Sequence, residues 1–138
     1  MNLFKRIFRK KQPIEIHPLV IVESPYFNKN PSIIEYNLAY VFECMKDCLY
    51  KNESPYASHA LYTKFLDDKI PHEREFGIKA GFQFRRVMDK SVVYTDLGIS
   101  SGMKMGIEDS ITKGKPVEYR TLPNFNEFHE ENKHLLEL

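Results

Sequence analysis

Apolar positions along the chain alternate between two periods. In HPLVIVESPY, Leu19 to Val22 form a short, mostly β-branched apolar run bounded by Pro18 and Pro25, the pattern of a buried strand. In IIEYNLAYVFECMKDCLYK, apolar residues recur at Ile34, Leu38, Val41, Met45 and Cys48. That spacing predicts an amphipathic helix whose stripe faces the core. Pro31 suits its first turn and Asn30 its cap. The segment ESPYASHALYT holds a weaker, mixed run, and Tyr56 to Ala60 reads as a second strand. After the polar loop KFLDDKIP, the segment HEREFGIKAGFQFRRVMDK places Phe76, Ala80, Phe84 and Val87 or Met88 on one stripe of a second helix. Gly77 and Gly81 share another face, which admits a close neighbour. Acids at the start of this helix and bases near its end suit its dipole.

VVYTDLGISSGMKMGIE begins as a strand and ends as a helix. Ser91 to Tyr94 form the strand. Ser101 to Lys113 form a helix with Met103, Ile107 and Ile111 four apart, closed by Gly114 at the position after the cap. Pro116 to Arg120 read as a fourth strand. The acidic tail PNFNEFHEENKHLLEL predicts a short helix docking through Phe125, Phe128 and Leu135.

The predicted order is β-α-β-α-β-α-β. Strands separated by helices pair in parallel through right-handed crossovers. The fold class is therefore α/β: a small doubly wound, flavodoxin-like or Rossmann-like, mainly parallel sheet of four or five strands flanked by helices. Such sheets bind ligands beyond the carboxyl ends of their strands, at the point where the strand order reverses. This directs attention to Glu23, Ser24 and Tyr26 after the first strand, to Ser58 and His59 near the second, and to Asp96 through Gly102 after the third.

Composition adds boundaries. A chain of 138 residues, 42% hydrophobic, supports one core. Residues 1–12 carry five basic side chains and no acidic one, leaving 15 basic against 19 acidic residues in the remainder. The expected division is a basic flexible leader at 1–16, an α/β domain at 17–122 and an acidic tail or short helix at 123–138. A body of net negative charge disfavours duplex nucleic acid as a partner. No apolar run approaches a membrane span of roughly 20 residues. Cys44 and Cys48 lack nearby metal-ligand partners in sequence and read as reduced thiols of a cytoplasmic protein, with no metal and no cofactor expected.

Asp96, Gly98, Ile99, Ser100, Ser101 and Gly102 lie where a strand hands over to a helix. Glycines let backbone approach an anion, serines add hydroxyl donors, and the helix start supplies free N–H groups. The plainer alternative is that Asp96 or Ser100 caps the helix and Gly98 turns the chain.

These residues carry a resemblance to the nucleoside 2-deoxyribosyltransferase family and the related deoxynucleoside-monophosphate N-glycosidases. Glu23-Ser24-Pro25-Tyr26 resembles their small-residue–Pro–aromatic turn after the first strand. Asp96-Leu97-Gly98, Gly102-Met103-Lys104-Met105-Gly106 and Gly114-Lys115-Pro116-Val117 resemble their last strand–helix junction and the segment after it. From about Val20 to Leu122 the chain more closely resembles a bacterial and phage family of unassigned function, which shares the ESPY, ASHxxYT, YTDLGISxGM and PVEYR segments.

The resemblance implies a nucleoside or nucleotide ligand, N-glycosidic chemistry and a homodimer or larger assembly. It also implies a departure, because Lys104 stands where the transferases carry their nucleophilic glutamate. A lysine cannot form the glycosyl ester. Substitute carboxylates are Glu23, Asp96 and Glu108, with Glu118 in the fourth strand facing the site or solvent. Tyr26 takes the position of the orienting aromatic hydroxyl. Ser24, Ser58, His59, Gly98 through Gly102, Met103 and Lys104 complete the expected ligand-binding set.

Each candidate has a structural alternative. Glu108 can pair with Lys104 at i, i+4, Glu118 with Arg120 across one strand face, and His59 can be a hydrogen-bonded core histidine. Asp67-Asp68 reads as loop solvation or as a pair for sugar hydroxyls or a metal, and Arg85-Arg86 as an exposed helix face or a clamp for a phosphate from a neighbouring subunit. Tyr36, Tyr40, Phe42 and Phe82 fall off the main stripes, and an assembly is the expected cover for them. Three functions follow: an N-glycosidic enzyme, a nucleotide-binding or signal-sensing module, and an interaction protein with an idle pocket.

Overall fold

The computed structural model describes residues 17–137; the basic leader lies outside them. Four parallel strands form one sheet: β1 (Leu19–Glu23), β2 (Ser54–Tyr56), β3 (Lys90–Tyr94) and β4 (Val117–Arg120), in the order β2-β1-β3-β4. The helices are α1 (Pro31–Tyr50), α2 (Ser58–Leu61), α3 (Pro71–Arg85), α4 (Ser101–Thr112) and α5 (Phe125–Asn132), with single 3₁₀ turns at Tyr62–Lys64 and Lys133–Leu136. The doubly wound α/β class is as expected. The order reverses between β1 and β3, so the switch point lies beyond Glu23 and Tyr94.

Period-two alternation divides the sheet into two faces. Val20 and Val22 of β1 and Val92 and Tyr94 of β3 enter the apolar core with Tyr36, Tyr40, Val41, Cys44 and Cys48 of α1. Ile21, Glu23 and Ser91 lie on the opposite side, toward α3 and α4. The α1 start is as the sequence predicts: Pro31 opens it, and the Asn30 side chain accepts from the Ser32 N–H. Gly114 takes a positive φ of 66° after α4, which glycine tolerates without strain.

Four expectations change. The second strand ends at Tyr56, and Ser58 and His59 begin the short helix α2. Strand pairing with β1 stops at Tyr56, and a mixed run of four residues has no periodicity to separate strand from helical turn.

Most of the expected apolar stripe of α3 points outward: Phe76 is 61% and Val87 65% exposed and Phe84 is exposed as well, whereas Ala80 is half-buried and Met88, beyond the helix end, is buried. The buried face of α3 carries Gly81 and Arg85 instead. A Cβ on Gly81 would come within 3.1 Å of Ser58 Cβ, so the glycine face seats the helix and excludes the bulkier stripe.

Arg85, read as an exposed face or phosphate clamp, is 3% exposed. Tyr36 and Tyr40, which an assembly was expected to cover, are buried within the chain. Helix α5 covers them with Phe125 and Phe128, whose rings lie 5.1–6.2 Å from theirs. The tail helix thus docks through Phe125, Phe128 and Leu135 as expected.

Candidate functional site

A cavity of about 250 Å³ opens beyond the ends of β1 and β2, on the α3 and α4 side. Three segments bring the expected residues to it, and α3 with the loop before it closes the remaining wall. The turn after β1 brings Glu23, Ser24 and Tyr26; α2 brings Ser58 and His59; the start of α4 brings Ser100, Ser101, Gly102 and Met103. The turn after β1 is fixed from α1, where Asn37 Nδ2 donates to the Tyr26 carbonyl at 2.9 Å. Its volume falls just below the range of roughly 300–1,000 Å³ typical of small-molecule pockets.

Glu23 is the carboxylate at the switch point. Arg85 Nη2 donates to its Oε1 at 2.7 Å; Oε2 takes no hydrogen bond among the described residues. Burial raises the Glu23 pKa above its ordinary value, Arg85 opposes that rise, and Asp109 adds to it. Arg85 is held at its other nitrogens too: Nε donates to Asp109 Oδ2 at 2.9 Å, and Nη1 donates to Ser91 Oγ and Ser110 Oγ at 2.7 and 3.1 Å. Helix α4 passes so close that a Cβ on Gly106 would lie 2.6 Å from the Glu23 Cδ. Gly106 is therefore required by the carboxylate beside it, since no larger residue leaves room.

Ser24 Oγ and His59 Nε2 are 2.8 Å apart, and the Tyr26 ring lies 6.3 Å from the imidazole. Desolvation lowers the His59 pKa to about 4, although the residue keeps part of its surface in the cavity wall. The imidazole is neutral near pH 7 and serves as a hydrogen-bonding group. Asp68, Glu73 and Arg74 bring charge to the same cavity from the loop before α3 and its first turn.

The strand-to-helix stretch divides in two. Gly98 turns the chain at φ 82° and is exposed, as is Ile99. Neither is in the cavity wall. Ser100 caps α4 by accepting the Met103 N–H at 3.2 Å, yet it lines the cavity together with Ser101 and Gly102. The N–H groups of Ser101 and Gly102 have no partner among the described residues, as expected of a first helical turn.

Four expected residues stand elsewhere. Asp96 Oδ2 accepts from the Tyr40 hydroxyl at 2.6 Å and the Leu122 N–H at 2.8 Å, on the α1 and α5 side. Lys104 and Glu108 are exposed on α4 and outside the cavity wall. Glu118 is exposed and pairs with Arg120 and Lys90 at 3.0 and 2.7 Å. Arg85, weighed only as an exposed face or a phosphate clamp, was missed as a buried partner of Glu23. Its signal was present: Gly77, Gly81 and Arg85 stand four apart on one helix face, and two glycines mark the face that approaches its neighbours. Among the described residues, no group of three or more His, Cys, Asp or Glu side chains is gathered to hold a metal ion.

The reversal of strand order beside a cavity lined by both polar and apolar side chains defines a doubly wound α/β domain with a switch-point cavity. Residues 18–120 match the model of the family described as Domain of unknown function (DUF7768), and the chain belongs to that family. None of the curated proteins compared with the chain matches it. Among solved structures, the fold is similar to that of the 2-deoxyribosyltransferase from the psychrotolerant bacterium Bacillus psychrosaccharolyticus. The TM-score is 0.59 at 16% identity, over 75% of this chain and 72% of the other. At that identity the likeness concerns the fold.

Proposed function

We propose that the cavity binds a nucleoside or nucleotide and that Glu23 acts there on the N-glycosidic bond. The observation that carries this reading is the Glu23 carboxylate in the cavity wall at the switch point, with one oxygen held by Arg85 and the other without a hydrogen bond among the described residues. The transferase fold and its nucleoside chemistry support it by analogy. Tyr26 and Phe27 offer aromatic surface to a base or sugar, and Ser24, Ser58 and His59 offer hydrogen bonds. The free N–H groups of Ser101 and Gly102 suit a phosphate.

In hydrolysis, Glu23 takes a proton from water, and the water oxygen bonds to C1′. The C1′–N bond breaks, and its electron pair leaves with the base, which takes up a proton from solvent. A carboxylate whose pKa is raised by burial is suited to general-base work near neutral pH.

A second reading is binding without chemistry. It is favoured by Lys104, which occupies the position of the transferase nucleophile in the resembling motif. Calorimetry with the common 2′-deoxynucleosides and their 5′-monophosphates, together with chromatographic detection of free base, separates the two. Glycosidic chemistry predicts base release that Glu23→Gln abolishes while binding remains. Binding without base release supports the module. Absence of binding at about 1 mM ligand, a free energy of only about −4 kcal/mol, overturns both and leaves the interaction protein with an idle pocket.

The proposal includes a homo-oligomer. Phe65, Phe76, Phe84 and Val87 are exposed, and apolar surface of this kind is commonly covered by a partner. Light scattering that finds a monomer at micromolar concentration would remove this part of it.

A further inference from the structure

We infer that Arg85 is a positioning residue for Glu23: from behind the cavity it binds one carboxylate oxygen, leaves the other to the ligand, and links the pair to Asp109. The inference rests on the reading of the cavity as a ligand site. It identifies how the Glu23 carboxylate is held there, apart from the Asp68 and Glu73 carboxylates that line the same cavity.

The geometry is specific. Arg85 ends α3, and its guanidinium reaches β1, β3 and α4 at once. Its side chain is 4% exposed, against 12% for Glu23 and 15% for Asp109. All three guanidinium nitrogens donate, to Glu23, Asp109, Ser91 and Ser110. Ser91 and Ser110 also bond each other at 2.6 Å, which closes the network behind the cavity. Lys113 holds Asp109 from the solvent side at 2.7 Å. The head of Arg85 thus has no freedom to swing, and the absence of a side chain at Gly106 lets the Glu23 carboxylate lie against α4.

A guanidinium that served stability alone could be spent between Asp109 and the two serines. Here its remaining nitrogen is directed at the one switch-point carboxylate. A single charge-assisted bond from a guanidinium anchored at its other nitrogens fixes orientation as well as charge. The charged and titratable groups facing Glu23 are Arg85 from α3 and Asp109 from α4. Around the same cavity stand His59 from α2, Asp68 from the loop, and Glu73 and Arg74 from the first turn of α3.

The test is the titration of the Glu23 carboxylate, followed by NMR through a carbon label and assigned with Glu23→Gln. In Arg85→Met the midpoint rises by about 1–3 on the pH scale, the effect of removing an adjacent opposite charge. In Asp109→Asn it falls, because a like charge is removed while Arg85 stays. Arg85→Lys, which keeps the charge, returns it toward the wild-type midpoint. A residue serving only packing would not move the midpoint in opposite directions in the two variants. Unchanged midpoints in the folded variants, or a rise in Asp109→Asn, overturn the inference. If Arg85→Met does not fold, Asp109→Asn decides alone. The readout needs no substrate, so failure to bind or cleave nucleosides counts against the proposed function and leaves this titration to be judged separately. Where base is released, its pH profile shifts with the same sign as the Glu23 midpoint.

Discussion

The two faces of one sheet are built on different principles. Toward α1 and α5, the strands present Val20, Val22, Val92 and Tyr94 to an apolar layer of tyrosines, cysteines and phenylalanines. Polar atoms on that side are confined to its margins, as where Tyr94 donates to Asp47 and Tyr40 to Asp96 at 2.6 Å each. Toward α3 and α4, the same strands present Glu23 and Ser91 to a buried arginine. The first face gains stability from area removed from water. The second encloses charges, whose desolvation offsets much of their attraction, and it leaves a cavity. The difference teaches that one alternating strand can serve both ends, since its odd and even residues answer to separate environments. The sheet and α1 hold the frame while the other side is free to carry chemistry.

That contrast can be broken or sharpened by four measurements. The largest effect is expected from Phe128→Ala. Removing a buried ring between Tyr36 and Tyr40 should cost about 3–5 kcal/mol in urea unfolding and leave ligand affinity in the cavity unchanged. A parallel loss of affinity in the folded variant would show that the faces are not independent.

The next is a pH effect from the cavity side. His59 is held at about 4 by desolvation, against roughly 6.5 when unfolded. Between these values the unfolded chain binds more protons, so stability falls as pH falls from about 6.5 to 4 and is full above that window. The contribution is on the order of 1–3 kcal/mol. Glu23, whose pKa is raised, acts in the opposite sense: its stabilisation is lost as pH rises through its folded value. The His59 part is therefore read as the difference between wild type and His59→Gln, whose unfolding curve should be flatter across the window. Curves that remain parallel would count against a desolvated imidazole.

Asp96→Asn tests the margin of the apolar face. The carboxylate accepts from Tyr40 and Leu122, and weakening these bonds should cost about 1–3 kcal/mol with base release retained. Loss of turnover at full stability would instead restore Asp96 to the catalytic set.

The smallest effect is expected from Lys104→Glu. Its side chain is exposed and outside the cavity wall, so stability should change by less than about 0.5 kcal/mol. Restoring the transferase-like glutamate should also fail to raise base release. A marked increase on chromatographic assay would place this helix position within reach of the ligand.

By itself, the chain's pattern of residues determined the class of fold, the position of β1, β3, β4, α1 and α4, and the strand ends at which to look. These are local matters. β-branched runs, a 3.6-residue stripe, Pro31 behind Asn30 and Gly114 after the last turn act through neighbours in sequence, and they read the same in any context. Glu23, Ser24, Tyr26, Ser58, His59 and Ser100 through Met103 could be named for the same reason, because strand ends are where such sheets form their pockets.

Only the tertiary structure decided which face of α3 is inside. Periodicity favoured Phe76 and Phe84, but the close approach of α2 selects the face with Gly81, and Arg85 follows it inward. Tertiary structure likewise removed Asp96 from the candidate chemistry by giving it to Tyr40 and Leu122, residues 56 and 26 positions away. It also covered Tyr36 and Tyr40 with a helix from the tail. Burial and hydrogen-bond partners depend on contacts between residues distant along the chain, which no local period records.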